Sequence, residues 1–456
     1  MTSFPKIEQY WGGTFMKKTS TNVRWIMMFL VFLISTVSYL DRTNLSVSAP
    51  VIQHEFHISA MQLGIIFSAF SWTYALGQIP AGMIANWLKP RKTYFYGMLV
   101  WCIILILTTQ AASFGAWVIF RIPFGLAEAV TWPAASVLLA RWFPRVEYSQ
   151  AMSLQNLGLV IGAAVAPPIV AFLLVHWGWQ VAFIITGIIA AILGVFFYLY
   201  GRDNPEEHRG VSENELEWIK HDQLEENSEI TSVPGLYRAL LKRPTLWAAS
   251  MANFGLDFVN YMFLTWYPTY LTEKYHMSLS EMGIMAMEPY LFGLITVLSA
   301  GTVVRRLVDK GRDSVSARKI VISLGLILGT ATLFVTPFIN NIYASVTCMS
   351  LGYAFVMSIL GPMWSTAAEI GGKSGAGFVS GAINFIGNIG GILSPLLMGF
   401  ILQYFNSFTP AILISAGITL LCSILFLILY RVHNDRAAIL TFTKDTQSKL
   451  NNHSAS

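Results

Sequence analysis

Charge divides this chain. Twelve stretches of about twenty residues hold almost no Asp, Glu, Lys or Arg, and the polar breaks between them hold nearly all of it. A helix needs about 20 apolar residues to cross a bilayer, where every backbone N–H and C=O must find its partner inside the segment. The expected spans run over 24–47, 62–87, 94–111, 115–140, 150–174, 179–200, 245–271, 281–304, 319–338, 341–366, 376–403 and 408–431. A soluble globule is excluded, because charged residues make up 12% of the chain and hydrophobic ones 55%, where ordinary domains are about a quarter charged. The fold class is therefore an all-α, multi-pass membrane protein whose first partner is the lipid bilayer.

The breaks also set direction. All of the 29 lysines and arginines lie in the N-terminal stretch or in breaks after even-numbered spans, except Arg42, Arg121 and Lys274. Positive loops resist translocation, so both termini are expected in the cytoplasm and the protein in the cell inner membrane. The net charge of +5 then belongs to loops beside a bilayer and does not point to nucleic acid. Cys102, Cys348 and Cys422 fall within spans, which argues for packing and against a disulfide framework or a metal site. The first apolar run is too long for a cleavable signal and lacks a small-residue cleavage site, so it is expected to be retained. Met16 followed by Lys17 and Lys18 is an alternative start.

The longest polar break, 201–244, splits the chain into halves of six spans, 24–200 and 245–431, flanked by an N-terminal segment 1–23 and a tail 432–456. Its acids include Glu213, Glu215, Glu217, Glu225, Glu226 and Glu229. A surface amphipathic helix is expected from Ser212 to Gln223, with Leu216 and Ile219 at helical spacing and a solvated acidic face. Two halves joined by a cytoplasmic linker is the layout of carriers with a site at the membrane midplane.

Charges inside spans need a partner or water. Asp41 and Arg42 lie in the first span, Arg121 and Glu128 in the fourth. Seven residues are nearly two helical turns, so Arg121 and Glu128 share a face about 10 Å apart along the axis, too far to pair directly. That face is expected to be wet, with each group free for a substrate, a proton or the Asp41/Arg42 pair. The bland alternative is that the four charges only lock two helices together. Arginine's planar fork suits a carboxylate, which implies a small organic anion. Asp41 and Glu128 supply groups able to take up and release a proton.

Neutral polar groups on other spans include Tyr74, Gln78, Gln155, Asn156, Asn260, Tyr261, Asn384 and Asn388, each of which also suits a helix-helix hydrogen bond. Trp364 beside Pro362 suits stacking on a ligand or packing. Asp257 and Glu288 fit either a cavity or the outer surface. Glu369 stands four residues before Lys373, the spacing of a helical ion pair or part of a cytoplasmic gate. The Gly377/Gly381 and Gly387/Gly391 spacings suggest close helix packing, and no strand or Walker pattern accompanies the glycines to make a phosphate loop. No nucleophile-base pair, metal cluster or cofactor motif marks an enzyme.

The segments Tyr39-Leu40-Asp41-Arg42-Thr43-Asn44-Leu45, Phe67-Ser68-Ala69-Phe70-Ser71-Trp72-Thr73-Tyr74, Phe120-Arg121 through Glu128, Leu264-Thr265-Trp266-Tyr267-Pro268 and Gly387-Asn388-Ile389-Gly390-Gly391 resemble the anion:cation symporter family of the major facilitator superfamily. That family includes bacterial galactonate- and glucarate-type sugar-acid transporters and the sialin group. The resemblance implies the major facilitator fold, two six-helix bundles rocking about a central site, and proton-driven uptake of a carboxylate. By position it implies Asp41 and Glu128 as proton-coupling acids. It implies Arg42, Tyr74, Arg121, Gln155, Trp364 and Asn384 as substrate-binding residues, with protons as the coupling ion, no cofactor and a monomer. The chain departs from the superfamily in its gate, with Asn86 where an aspartate is usual and Arg305 at the equivalent place after the eighth span; Glu369 and Asp309 could compensate. Uncoupled anion exchange and multidrug efflux are the competing functions, and efflux of lipophilic cations would favour acids without clamping arginines.

Overall fold

The computed structural model describes residues 21–221 and 235–431. Twelve long helical rods follow one another: α1 (Val23–Phe56), α2 (Ala60–Trp87), α3 (Pro90–Thr108), α4 (Phe114–Trp142), α5 (145–177), α6 (179–200), then α9 (Pro244–Tyr275), α10 (Leu279–Asp309), α11 (Ser314–Val335), α12 (Ile342–Gly371), α13 (Gly375–Phe405) and α14 (Phe408–Leu429). Two short helices between the halves are α7 (Glu213–His221) and α8 (Leu236–Leu241). The α5 and α6 rods are continuous except at Gly178, whose φ of 85° turns the chain back. Most rods are long and apolar enough to cross a membrane. Rods α2 and α9 carry polar groups facing the middle of the molecule, among them Tyr74, Gln78, Asp257 and Asn260.

Several rods outrun the expected spans. Rod α1 continues past 47 to Phe56 through Gln53, His54 and Glu55, and His57 ends it in the left-handed region with φ 52°. Hydropathy marks the stretch that lipid touches, whereas the helix goes on into the polar layer. Prolines break three rods internally. Pro133 cannot donate to the Ala129 carbonyl and crowds it, so α4 turns at Ala129 and Val130, directly after Glu128. Pro362 does the same to α12 at Ser358 and Ile359, and Pro289 to α10 at Ala286 and Met287.

Within the first half α1 packs on α5, α3 on α6 and α2 on α4; within the second, α9 packs on α13 and α14, and α12 on α10 and α11. We call the end holding Asn22 and Arg431 the inner end. Near the opposite, outer end the halves meet closely. A methyl on Gly64 of α2 would strike the Pro395 carbonyl of α13, and one on Gly399 would strike the Ala60 carbonyl. Ser68 Oγ donates to the Ile392 carbonyl at 3.1 Å, and the Phe67 ring of α2 meets the Trp266 ring of α9 edge to face at 5.9 Å. Toward the inner end, among the described residues, nothing lies within 4 Å of the Cβ positions of Gly377 or Gly381, so no close helix contact is seen at that spacing.

The linker helix is not merely a solvated acidic face. Glu215 of α7 is fully buried and accepts from the Val23 and Arg24 N–H groups, each at 3.1 Å, and from Thr21 Oγ1 at 2.6 Å, capping the positive end of α1. Arg24 bridges Glu215 at 3.1 Å and Glu147 of α5 at 2.9 Å, and Trp218 Nε1 donates to Glu147. Ile219 is buried beside them, while Glu225, Glu226, Glu229, the 1–20 stretch with Met16 and the tail from 432 lie outside the described residues.

Candidate functional site

A cavity of about 140 Å³ lies between the halves. The first half contributes Ser38, Tyr39 and Arg42 from α1, Tyr74 and Gln78 from α2, Thr131 and Trp132 from α4, and Gln155 and Asn156 from α5. The second contributes Asp257, Asn260 and Tyr261 from α9, Tyr353 and Trp364 from α12, and Asn384 and Asn388 from α13. The helical repeat explains the grouping: Ser38 and Arg42, Asp257 and Tyr261, and Asn384 and Asn388 are each four apart, one above the other on a single face.

Arg42 is the centre of this chamber. Its Nε donates to Glu128 Oε2 at 2.8 Å, and Ser38 Oγ donates to the other Glu128 oxygen. Its guanidinium lies over the rings of Tyr74 at 4.2 Å, Tyr39 at 4.8 Å and Phe70 at 5.1 Å. Aromatic faces hold a cation without consuming its N–H groups, so the ring cage orients Arg42 and leaves donors for a ligand. Glu128 itself is fully buried and meets the chamber only through Arg42 and Ser38.

Other polar groups wait without partners. Gln155 is fully buried on the chamber wall, and neither its amide oxygen nor its amide nitrogen has a hydrogen bond. Buried polar groups are normally paired; among the described residues this amide has no partner, and its hydrogen-bonding capacity is open to the cavity. Asp257 accepts from Asn253 Nδ2 at 3.2 Å. Rod α13 backs both, since a methyl on Gly387 would collide with the Asn253 amide and the Asp257 carboxylate.

Toward the inner end the chamber is closed by little. Asn384 Nδ2 donates to Gln78 Oε1 at 2.9 Å across the halves, and the Trp132 and Trp364 rings stack at 6.1 Å. Both tryptophans flank the prolines that kink α4 and α12, so the two breaks aim these rings at each other.

Two expected site residues stand elsewhere. Arg121 is buried, lies 5.3 Å over the Phe124 ring, and has unpartnered Nε and Nη2 groups. It lines a void of about 20 Å³ with Arg42, Phe70 and Tyr261, apart from the larger chamber. Asp41, one position before Arg42 and about 100° around the helix, points into the first half. It is fully buried, with the side chains of Thr186 and Trp101 facing its carboxylate. One solvated chamber shared by all four charges is thus not what the structure shows.

The remaining expectations divide as follows. Glu369 pairs with Arg318 of α11; the side chain of Lys373, like that of Asn86, is outside the described ones. Arg305 and Asp309 are exposed. Glu288 is not on the chamber wall. Ser38, Tyr39, Trp132 and Tyr353 were not singled out from sequence. Adding three or four to each charged position would have found the first three, since Ser38 and Tyr39 precede Arg42 by four and three and Trp132 follows Glu128 by four.

The description "Major Facilitator Superfamily" matches residues 31–395 of the chain. YybO, an uncharacterized transporter of Bacillus subtilis (strain 168), is 30% identical over 412 residues, covering 90% of this chain and 94% of its own. The probable galactarate/D-glucarate transporter GarP of Escherichia coli (strain K12) is 28% identical, covering 90% and 95%. The hexuronate transporter of Bacillus subtilis (strain 168) is 28% identical, covering 88% and 92%. A crystal structure of a bacterial homologue of the human lysosomal transporter Spinster, inward-facing and unoccupied, aligns with a TM-score of 0.70 at 19% identity over 93% of this chain and 99% of that one. At that identity it speaks for the fold alone.

Proposed function

Because the chain belongs to the Major Facilitator Superfamily, and is a multi-pass membrane protein and not an enzyme, we propose that it imports an organic acid of the sugar-acid type by proton symport. GarP and the hexuronate transporter bear names of that substrate class, and the hydrogen-bonding wall of the chamber suits a hydroxylated carboxylate. The observation that carries the proposal is the sharing of Arg42 between Glu128 and the chamber.

While Glu128 is ionised it neutralises Arg42. A proton on Glu128 removes that counter-charge, and the fork then offers its charge and free N–H donors to an incoming carboxylate. Anion and proton therefore enter together, and each weakens the hold on the site when it leaves. Tyr74 keeps Arg42 in place; Gln155, Asn384 and Trp364 meet the body of the substrate. Asp41 and Arg121, set back from the chamber, act on Glu128 through the low-dielectric interior, Asp41 as a second proton acceptor and Arg121 as the cation between the two acids.

Alternating access follows from unequal closures. The outer seal, formed by α2 on α13 and Phe67 on Trp266, would have to part, and the inner contacts Gln78–Asn384 and Trp132–Trp364 would tighten or open as the halves 24–200 and 245–431 rock. The positive breaks orient the inner end to the cytoplasm of the inner membrane. One chain supplies the whole chamber, so the unit of transport is a monomer.

Substrate-driven proton uptake tests the proposal. In lightly buffered proteoliposomes without an imposed gradient, adding an aldonate or hexuronate outside should acidify the lumen and alkalinise the medium. Uptake of labelled acid with no proton movement would refute symport.

A further inference from the structure

Asp257 lines the chamber, yet the transport cycle above does not use it. It stands on α9 in the second half, opposite the first-half wall that carries Arg42. Among the described residues these two are the charged side chains of the chamber wall, and their situations differ. Arg42 has a counter-ion in Glu128 at 2.8 Å. Asp257 has an amide hydrogen bond from Asn253 at 3.2 Å and, among the described residues, no ion pair with a cation.

The carboxylate cannot withdraw, because α13 passes directly behind it at Gly387. Around it stand neutral groups: Asn260, whose oxygen is taken by the Tyr353 hydroxyl at 3.1 Å, Tyr261, Asn384 and Asn388. Tyr39 and Tyr261 are within electrostatic range of both Arg42 and Asp257, so the two charges act on one shared volume.

A chamber with a cation on one wall and an uncompensated carboxylate on the other is polar from end to end. An ionised carboxylate only accepts hydrogen bonds. A ligand that gives its own carboxylate to Arg42 must turn hydrogen-bond donors toward Asp257. Hydroxyl groups meet that demand; a second carboxylate there brings like charges together in a medium that screens them poorly.

We infer that Asp257 makes the chamber selective for hydroxylated monocarboxylates and rejects dicarboxylates of the same carbon skeleton. The inference rests on the organic-acid reading of the chamber and sharpens it. It also runs against simple transfer from GarP, whose name specifies two dicarboxylates.

The test compares a six-carbon aldonate with the aldarate that differs from it only by oxidation of C6 to a carboxylate. Binding to the purified full-length chain is measured by calorimetry near pH 8, where both carboxyls of free aldarate are ionised. The aldonate should bind at least tenfold more tightly. Asp257→Asn, which keeps shape and removes charge, should shrink that ratio at least fivefold by improving the aldarate, while its thermal melt shows a folded protein. Asp257→Ser serves if the asparagine variant does not fold, and the wild-type ratio stands as a test without either. Aldarate binding as tight as aldonate to the wild type, or a ratio unchanged by a folded Asp257 variant, overturns the inference and leaves the organic-acid reading intact. If a well-folded protein binds neither acid nor a hexuronate, the organic-acid reading fails and takes the selectivity with it.

Discussion

Arg42 Nε donates to Glu128 Oε2 at 2.8 Å across 86 residues of chain, joining the only face of α1 that reaches the chamber to the point where α4 breaks. The same guanidinium lies on the chamber wall. Lysine in its place would keep the charge but lose the fork and its stacking on Tyr74. Arg42→Lys should weaken substrate binding by about ten- to a hundredfold, the loss of one or two charge-assisted hydrogen bonds, while the protein stays folded. Calorimetric titration with the transported acid checks this, and unchanged affinity would remove Arg42 from the substrate's path.

Gln155 separates recognition from stability. Both ends of its amide are buried and unpartnered, so replacing it with leucine removes a desolvated polar group rather than a hydrogen bond. Gln155→Leu should leave the melting temperature in detergent the same or higher, and raise KM for uptake by about five- to tenfold, the worth of about one hydrogen bond. A fall in melting temperature without a change in KM would mean the amide is structural.

Among the described residues the inner end of the chamber is crossed by the Gln78–Asn384 hydrogen bond and the Trp132–Trp364 stack. In a background with Cys102, Cys348 and Cys422 replaced by serine, Asn388→Cys places a thiol on the chamber wall. Adding Trp364→Ala should speed its labelling by a membrane-impermeant maleimide from the inner side several-fold, and leave labelling from the outer side negligible. Equal acceleration from both sides would show that the tryptophan stack supports the fold as a whole.

Much of this was legible in the sequence, and the failures have physical causes. Uncharged stretches marked the rods, since lipid forbids unpaired charge whatever the fold. Rod ends were misjudged where helices extend beyond lipid, as in α1 from 47 to Phe56. Arg42, Tyr74, Gln155, Trp364 and Asn384 came together because intramembrane polar groups gather around water. Asp41 and Arg121 did not, since charge in a span says only that lipid is avoided, and burial between packed helices avoids it equally well. The Arg318 partner of Glu369 went unread because a contact between α11 and α12 is invisible to local spacing.

The linker helix is the clearest case of a role hidden by composition. Glu215 looked like one acid among many, yet it is buried against Arg24 and the start of α1. Removing its carboxylate leaves the buried Val23 and Arg24 N–H groups without that acceptor and Arg24 with Glu147 as its remaining counter-ion, at a cost of about 1 to 3 kcal/mol. Glu215→Ala should lower the melting temperature by several degrees, whereas Glu213→Ala, on the exposed start of the same helix, should not. Equal effects would place Glu215 on the surface.

The proton-linked role of Glu128 is tested most directly by reconstituting Glu128→Gln and measuring two activities side by side: counterflow exchange of the labelled acid, and its accumulation under an inward pH gradient. Glutamine keeps the partner for Arg42 but cannot gain or lose a proton. Exchange that persists while accumulation disappears is the expected result. Accumulation at the wild-type level would contradict it, and the Arg42–Glu128 pair would then be no more than a bolt between two helices.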